Sequence, residues 1–209
     1  MDYEIIIAFV VSYLLGAIPF SIGIGKVFYQ TDVRKHGSGN AGATNTFRTL
    51  GTLAGIIVLF LDALKGAVAV SLAYYLGGIP FYTDNFLYYK LGLGITAVLG
   101  HIFSVYLRFK GGKGVATFLG AGLSIFPIPA MICIAAFLIV FFITRYVSLS
   151  SMMAAIIFPI VLFLYGRVHQ WPILAFAIAV PLIITYTHRK NIRKLLNGTE
   201  SKISFSNKN

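Results

Sequence analysis

Long apolar runs alternate with short polar connections along this chain, the runs lying near residues 3–24, 52–76, 91–109, 115–126, 130–146, 151–165 and 171–187. A bilayer core of about 30 Å takes roughly 20 apolar residues of helix, fewer where protein covers an end. The pattern predicts an all-α integral membrane protein with about seven transmembrane helices. The run at 115–126 is short, and Gly112, Gly114, Gly120 and Gly122 flank or enter it. Small residues there allow close helix packing or a partly unwound segment beside a cavity. No internal repeat and no soluble domain is visible. Residues 1–198 are expected to form one membrane-embedded domain, followed by a polar tail at 199–209.

Composition fits lipid as the solvent for most side chains. Only 11% of the residues are charged and 58% are hydrophobic, whereas a soluble domain carries roughly 25% charged residues. Lys and Arg number 17 against 6 Asp and Glu, a formal net charge of +11. That excess points to an anionic partner, either lipid head groups or a phosphorylated substrate. Nucleic acid does not suit a chain this apolar. The single cysteine, Cys133, lies in an apolar run, so neither a disulfide framework nor a thiol metal site is expected. No metal or other cofactor is expected either. The opening Met1-Asp2-Tyr3-Glu4 is acidic where a secretory signal would be basic, so the first run is expected to remain as a span.

Lysine and arginine in short loops set orientation. Lys26, Arg34, Lys35 and Arg48 follow the first span, Arg108, Lys110 and Lys113 the third, Arg145 the fifth, and Arg189, Lys190, Arg193, Lys194, Lys202 and Lys208 the last. The opposite side holds Lys90 and Arg167 with Asp2, Glu4 and Asp84. The N-terminus is therefore expected outside, the C-terminus in the cytoplasm, and the number of spans odd.

Three polar segments then fall on the cytoplasmic side. The first reads His36-Gly37-Ser38-Gly39-Asn40-Ala41-Gly42-Ala43-Thr44-Asn45-Thr46-Phe47-Arg48. Glycines among short hydrogen-bonding side chains such as Ser38, Asn40, Thr44 and Asn45 let the backbone approach a ligand and aim N–H groups at anionic oxygens. Arg48 adds a planar fork suited to phosphate. The bland alternative is an ordinary turn, yet a turn between spans needs only about two to eight residues. The second reads Arg108-Phe109-Lys110-Gly111-Gly112-Lys113-Gly114-Val115-Ala116-Thr117 and looks like a phosphate cradle at a helix start. It is not a Walker A loop, because Gly114 rather than Ser or Thr follows Lys113. A basic turn obeying the positive-inside rule is its alternative. The third begins at His188, and on a helix His188, Asn191 and Leu195 share a face. Its basic residues suit a helix resting on head groups, while His188 and Asn191 are candidates to point into a site.

In this order and on one side, these segments resemble the PlsY family of acyl-phosphate-dependent glycerol-3-phosphate acyltransferases. The resemblance rests on Gly37 to Asn45, on Gly100-His101-Ile102-Phe103 leading to Lys110 to Thr117, on His188-Arg189-Asn191-Ile192-Arg193-Leu196-Gly198-Glu200, and on Asp62-Ala63-Leu64-Lys65-Gly66. It covers essentially the whole chain. Ala41 stands where many members carry proline.

The resemblance implies transfer of a fatty acyl group from acyl phosphate to the 1-hydroxyl of glycerol 3-phosphate, giving lysophosphatidate and phosphate. It implies a catalytic set of Ser38, Arg48, Lys113 and His188. Substrate contacts would come from Gly39, Asn40, Thr44, Asn45, Gly111, Gly112, Gly114 and Asn191, with Glu200 in a more structural role. Read from the residues themselves, Ser148, Ser150 and Ser151 beside Arg145 could lend hydroxyls to the site, and Lys110, Ser150 and Ser151 are secondary candidates. Also implied are a multi-pass location in the bacterial cytoplasmic (inner) membrane, membrane lipids as surroundings and a monomeric state. A cytosolic enzyme that forms acyl phosphate is a candidate partner.

The residues agree with such chemistry independently. An acyl phosphate is already activated, so an enzyme mainly has to bind two phosphates, align a hydroxyl with a carbonyl and stabilise developing negative charge. No Asp follows five residues after His36, His101, His169 or His188, so a His-x-x-x-x-Asp acid/base pair is absent. Within the spans, Asp62 and Lys65 share a helical face and are expected to pair, and His101, Ser104 and Arg108 form a stripe toward the second motif. A transporter for an organic phosphate is the rival reading. It would line a path across the bilayer, whereas these polar residues gather at one end.

Overall fold

The computed structural model describes residues 2–166 and 170–203, and these contain ten α-helices. Arg167 and Lys208 from the charge pattern, and His169, lie outside them. The chain divides into two compact units, 1–127 and 128–209.

The first unit begins with α1 (Asp2–Ala17) and α2 (Phe20–Tyr29), bent by 42° to one another. The sequence pattern predicted one span over 3–24. Pro19 breaks it, because proline carries no N–H for the helix ladder and its ring drives the preceding residue out of the helical region. After a polar loop come α3 (Ala43–Leu50), α4 (Thr52–Ser71), α5 (Asp84–Ile102) and α6 (Val115–Ile125). The start of α5 precedes the expected residue 91 because Thr83 caps it, its Oγ1 accepting from Phe86 N at 3.3 Å. Its end at Ile102 also precedes the expected residue 109. The stripe His101, Ser104, Arg108 is therefore not helical: Ser104 is extended, while Arg108 and Phe109 adopt positive φ of 52° and 62°. Ser104 Oγ instead donates to Ala17 O at 2.6 Å, tying the loop to the end of α1.

Helix α4 packs on α6, and α1 on α5. Gly66 of α4 lies against the Thr117 carbonyl and Gly120 of α6 against the Ala63 carbonyl, so a β-carbon at either would collide with backbone. The paired absence of side chains lets two helices meet at backbone distance, as small residues do in membranes.

The second unit holds α7 (Pro127–Thr144), α8 (Val147–Leu164), α9 (Trp171–Thr187) and α10 (Arg189–Leu196). Helix α8 packs on α9, and α10 turns away from α9 by 62°. Only Pro129 and Ala130 of α7 are buried, so Ile139, Phe142 and Ile143 face outward. In water such a surface would be unstable; against lipid tails it is the expected one.

Each apolar run read from the sequence thus contains a helix, with the break at Pro19 and the early end at Ile102 as the departures. By length and composition α4, α5, α7 and α8 can each cross a membrane, and the bent pairs α1–α2 and α9–α10 raise the number to six. Helix α6, with 11 residues, is the short fourth run.

Candidate active site

In the first unit the loop between α2 and α3 is seated by Val33 and Ala41, buried with Ile22 of α2. Its entry is held by Asp32, whose carboxylate accepts from Arg34 Nη2 at 2.7 Å, Arg34 Nε at 3.0 Å and Arg34 N at 3.0 Å. The side-chain hydrogen bonds from Arg34 outweigh partial burial and hold the Asp32 pKa down to about 2. The loop is then bolted by Asn45, which is fully buried. Its Oδ1 accepts from Ser38 N at 2.8 Å and from Ser38 Oγ at 3.1 Å, and its Nδ2 donates to Val33 O at 2.7 Å and His36 O at 3.2 Å. Asn45, read from sequence as a substrate contact, commits its amide to holding Ser38 at the surface. Gly39 keeps positive φ, 72°. Asn40 Oδ1 lies beside Gly42, which precedes α3. Thr44 sits half-buried in the first turn of α3, and Arg48 half-buried in its last.

The second motif lies on the end of α5. Gly111 N donates to Ile102 O and Gly112 N to His101 O, both at 3.0 Å. Lys110 is exposed and Lys113 half-buried. Gly114, with φ 83°, precedes α6, whose first-turn N–H groups have no carbonyl of their own helix to bond. Gly112 is wedged: a β-carbon there would meet both His101 Nε2 and the Ala41 carbonyl. The two glycine-rich loops therefore touch, and Ser38, Arg48, Gly111, Gly112 and Lys113 belong to one body. Nearby, Lys26, Arg34 and Arg108 line a cavity of about 530 Å³.

In the second unit His188 stands where α9 bends into α10, and it is buried. Its Nδ1 is 2.8 Å from Ile184 O. A carbonyl only accepts, so Nδ1 is the donor in this contact. Asn191 Nδ2 donates to Glu200 Oε1 at 2.8 Å, and Ser148 Oγ donates to the same oxygen at 3.0 Å. The buried carboxylate of Glu200 thereby links α10 to the first turn of α8. Ile203 N donates to Arg145 O at 3.1 Å, so the start of the polar tail packs on the α7–α8 turn. Ser150 and Ser151 donate their hydroxyls back along α8, to Tyr146 O and Val147 O, each at 2.8 Å. Ser148 is the serine of this group that reaches another element. Sequence gave no way to choose it, since all three lie within four residues at a helix start.

In the spans, Asp62 and Lys65 form the expected ion pair at 2.8 Å. No group of three metal-ligating side chains occurs among the described residues.

A family model for glycerol-3-phosphate acyltransferase matches residues 6–198. A glycerol-3-phosphate acyltransferase 2 of Bacillus cereus is 44% identical over 200 residues, covering 96% of each chain. A glycerol-3-phosphate acyltransferase of Chlorobium phaeobacteroides is 40% identical, covering 93% of this chain and 94% of its own. The crystal structure of PlsY, an integral membrane glycerol 3-phosphate acyltransferase, in its glycerol 3-phosphate form superposes with a TM-score of 0.86 at 38% identity over 96% of both chains. Its lysophosphatidic acid form gives 0.83 at 36% identity, over 96% of this chain and 95% of that one.

Proposed function

This chain belongs to the glycerol-3-phosphate acyltransferase family, and from that premise we propose that acyl phosphate is its donor and the 1-hydroxyl of glycerol 3-phosphate its acceptor. It is a multi-pass integral membrane acyltransferase. The two ligand forms of the similar PlsY structure support glycerol 3-phosphate as acceptor and lysophosphatidate as product. The reaction faces the cytoplasm at the bacterial inner membrane, a reading supported by the lysines and arginines crowding the loops that carry the motifs.

The observation that carries the proposal is the meeting of the two loops at Gly112 and Ala41. It puts two anion-seeking backbones and the cations Arg48 and Lys113 on one unit, which suits a reaction whose donor and acceptor each bring a phosphate. The acceptor hydroxyl oxygen attacks the acyl carbonyl carbon, the bond from that carbon to the phosphate oxygen breaks, and phosphate leaves with the electron pair. Arg48 and Lys113 compensate the phosphate charge as it develops. Ser38, fixed by Asn45, orients substrate. His188 and Asn191 hold glycerol 3-phosphate.

The hydroxyl proton goes to a phosphate oxygen of the substrates. Asp32 is committed to Arg34, Asp62 to Lys65, and Glu200 to Ser148 and Asn191, which disfavours a carboxylate base. A phosphate dianion, with a second pKa near 6, is basic enough and already in place.

Purified protein supplied separately with acyl phosphate, acyl-CoA and acyl carrier protein should release phosphate and form 1-acyl lysophosphatidate from acyl phosphate alone. Turnover of acyl-CoA with acyl phosphate inert would refute the donor assignment.

A further inference from the structure

Asp62, Lys65 and His101 are buried charged or titratable groups inside the bundle that the chemistry above does not use, with 2%, 4% and 6% of their surfaces exposed. Such groups are costly in a membrane interior and are retained where they have a task. Asp62 and Lys65 pair at 2.8 Å near the middle of α4. Lys65 Nζ also donates at 3.0 Å to Ile18 O, a carbonyl at the break before Pro19 that accepts from Phe20 N as well, at 3.2 Å. The oxygen that pairs with Lys65, Asp62 Oδ1, also lies 3.7 Å from His101 Nδ1, too long for a hydrogen bond but close enough to bias which ring edge faces it. The opposite edge, Nε2, bears on Gly112, and Gly112 bears in turn on the Ala41 carbonyl. The His101 carbonyl accepts from the Gly112 amide as well. One residue thus holds the second motif by ring and by backbone while α4 holds the ring.

We propose that His101, seated on the Asp62–Lys65 pair, is a positioning residue that sets the spacing between the two glycine-rich loops at Gly112 and Ala41, and so the geometry of the donor's phosphate cradle. The inference rests on the reading that the second motif receives acyl phosphate. The ion pair is a rigid footing: neither member can move without leaving the other uncompensated in a dry interior. The imidazole above it is a spacer of fixed thickness. A loop free to slip would no longer hold its N–H groups where the donor's phosphate is received, and part of the binding energy would go to ordering it again.

Removing either charge alone strands its partner, so the test uses neutral pairs, since replacing both members of a buried ion pair is often tolerated where removing one is not. Asp62→Leu with Lys65→Met removes the polar footing; Asp62→Asn with Lys65→Met keeps an oxygen facing Nδ1. His101→Ala removes the spacer itself. Hydrogen exchange at the Gly111 and Gly112 amides reads loop position whatever the loop binds, and steady-state kinetics read its use. His101→Ala and the Leu/Met pair should speed exchange at both amides and raise the apparent KM for acyl phosphate about tenfold or more, with kcat and the KM for glycerol 3-phosphate within about threefold. The Asn/Met pair should recover both readouts. Unchanged exchange in His101→Ala, or the two neutral pairs behaving alike, overturns the positioning role. Faster exchange with an unchanged KM for acyl phosphate would overturn the assignment of the loop to the donor, and with it the catalytic consequence proposed here.

Discussion

Asn45 Oδ1 accepts both the backbone N–H and the hydroxyl of Ser38, at 2.8 and 3.1 Å, while its Nδ2 reaches two carbonyls of the same loop. One buried amide therefore fixes an exposed serine. Asn45→Asp keeps the acceptor but loses the donors and sets a carboxylate against Val33 O and His36 O. Each buried group left unsatisfied costs about 1–3 kcal/mol. Thermal unfolding in detergent should show the midpoint lowered, and kcat should fall with it. A variant with wild-type melting would mean that the loop stands without this amide.

Gly112→Ala should be more damaging than a change of flexibility alone, because its β-carbon would overlap the His101 ring and the Ala41 carbonyl. We expect the KM for acyl phosphate to rise and the protein still to fold, since the clash lies in a loop. Gly51→Ala tests another positive-φ glycine whose β-carbon would meet nothing within 4 Å; its cost should appear in melting temperature and not in that KM.

Glu200 separates charge from hydrogen bonding. Ser148 and Asn191 both donate to Oε1, a role the Gln carbonyl oxygen can also fill. Glu200→Gln should stay near wild type, whereas Glu200→Ala takes the acceptor from the buried Ser148 hydroxyl, costing about 1–3 kcal/mol, and from the half-buried Asn191 amide. The KM for glycerol 3-phosphate reports the second effect. Equal loss in Gln and Ala variants would show that the negative charge itself is needed.

The Asp32–Arg34 pair predicts a pH dependence. The folded pKa of Asp32, about 2, lies below the ordinary value of 3.8, so the pair stabilises the fold above about pH 4 and the contribution fades as pH falls toward 2. The difference in melting temperature between wild type and Asp32→Asn should be level near neutrality and shrink below pH 4. The effect should be small, because Arg34 is partly exposed. A difference that grows as the solution becomes more acid contradicts the sign.

His188→Gln tests the proton's destination. Gln retains a hydrogen bond but cannot titrate, and a positioned general base contributes roughly 10²–10⁴-fold. Substrate-assisted transfer predicts a modest loss in kcat and an acidic limb that persists in the pH profile. Loss of about a thousandfold with that limb abolished, and both substrates still bound, would make His188 the base.

The apolar runs and the three motifs were legible in the residues, because hydrophobic length and side-chain type are properties of a segment by itself, and the class of chemistry followed from the family those motifs resemble. So was the Asp62–Lys65 pair, which needs only a helical spacing of three. Segment ends were less so: the chain breaks at Pro19 and leaves the helix at Phe103, where local cost competes with packing. Only the tertiary structure decided that Asn45 serves Ser38, that Ser148 rather than Ser150 or Ser151 reaches Glu200, and that Gly112 is held between His101 and Ala41. Each of these depends on how closely one element approaches another. That approach is decided by which positions lack a side chain, as Gly66 and Gly120 do across α4 and α6, and packing of this kind joins residues whose separation in the sequence carries no signal.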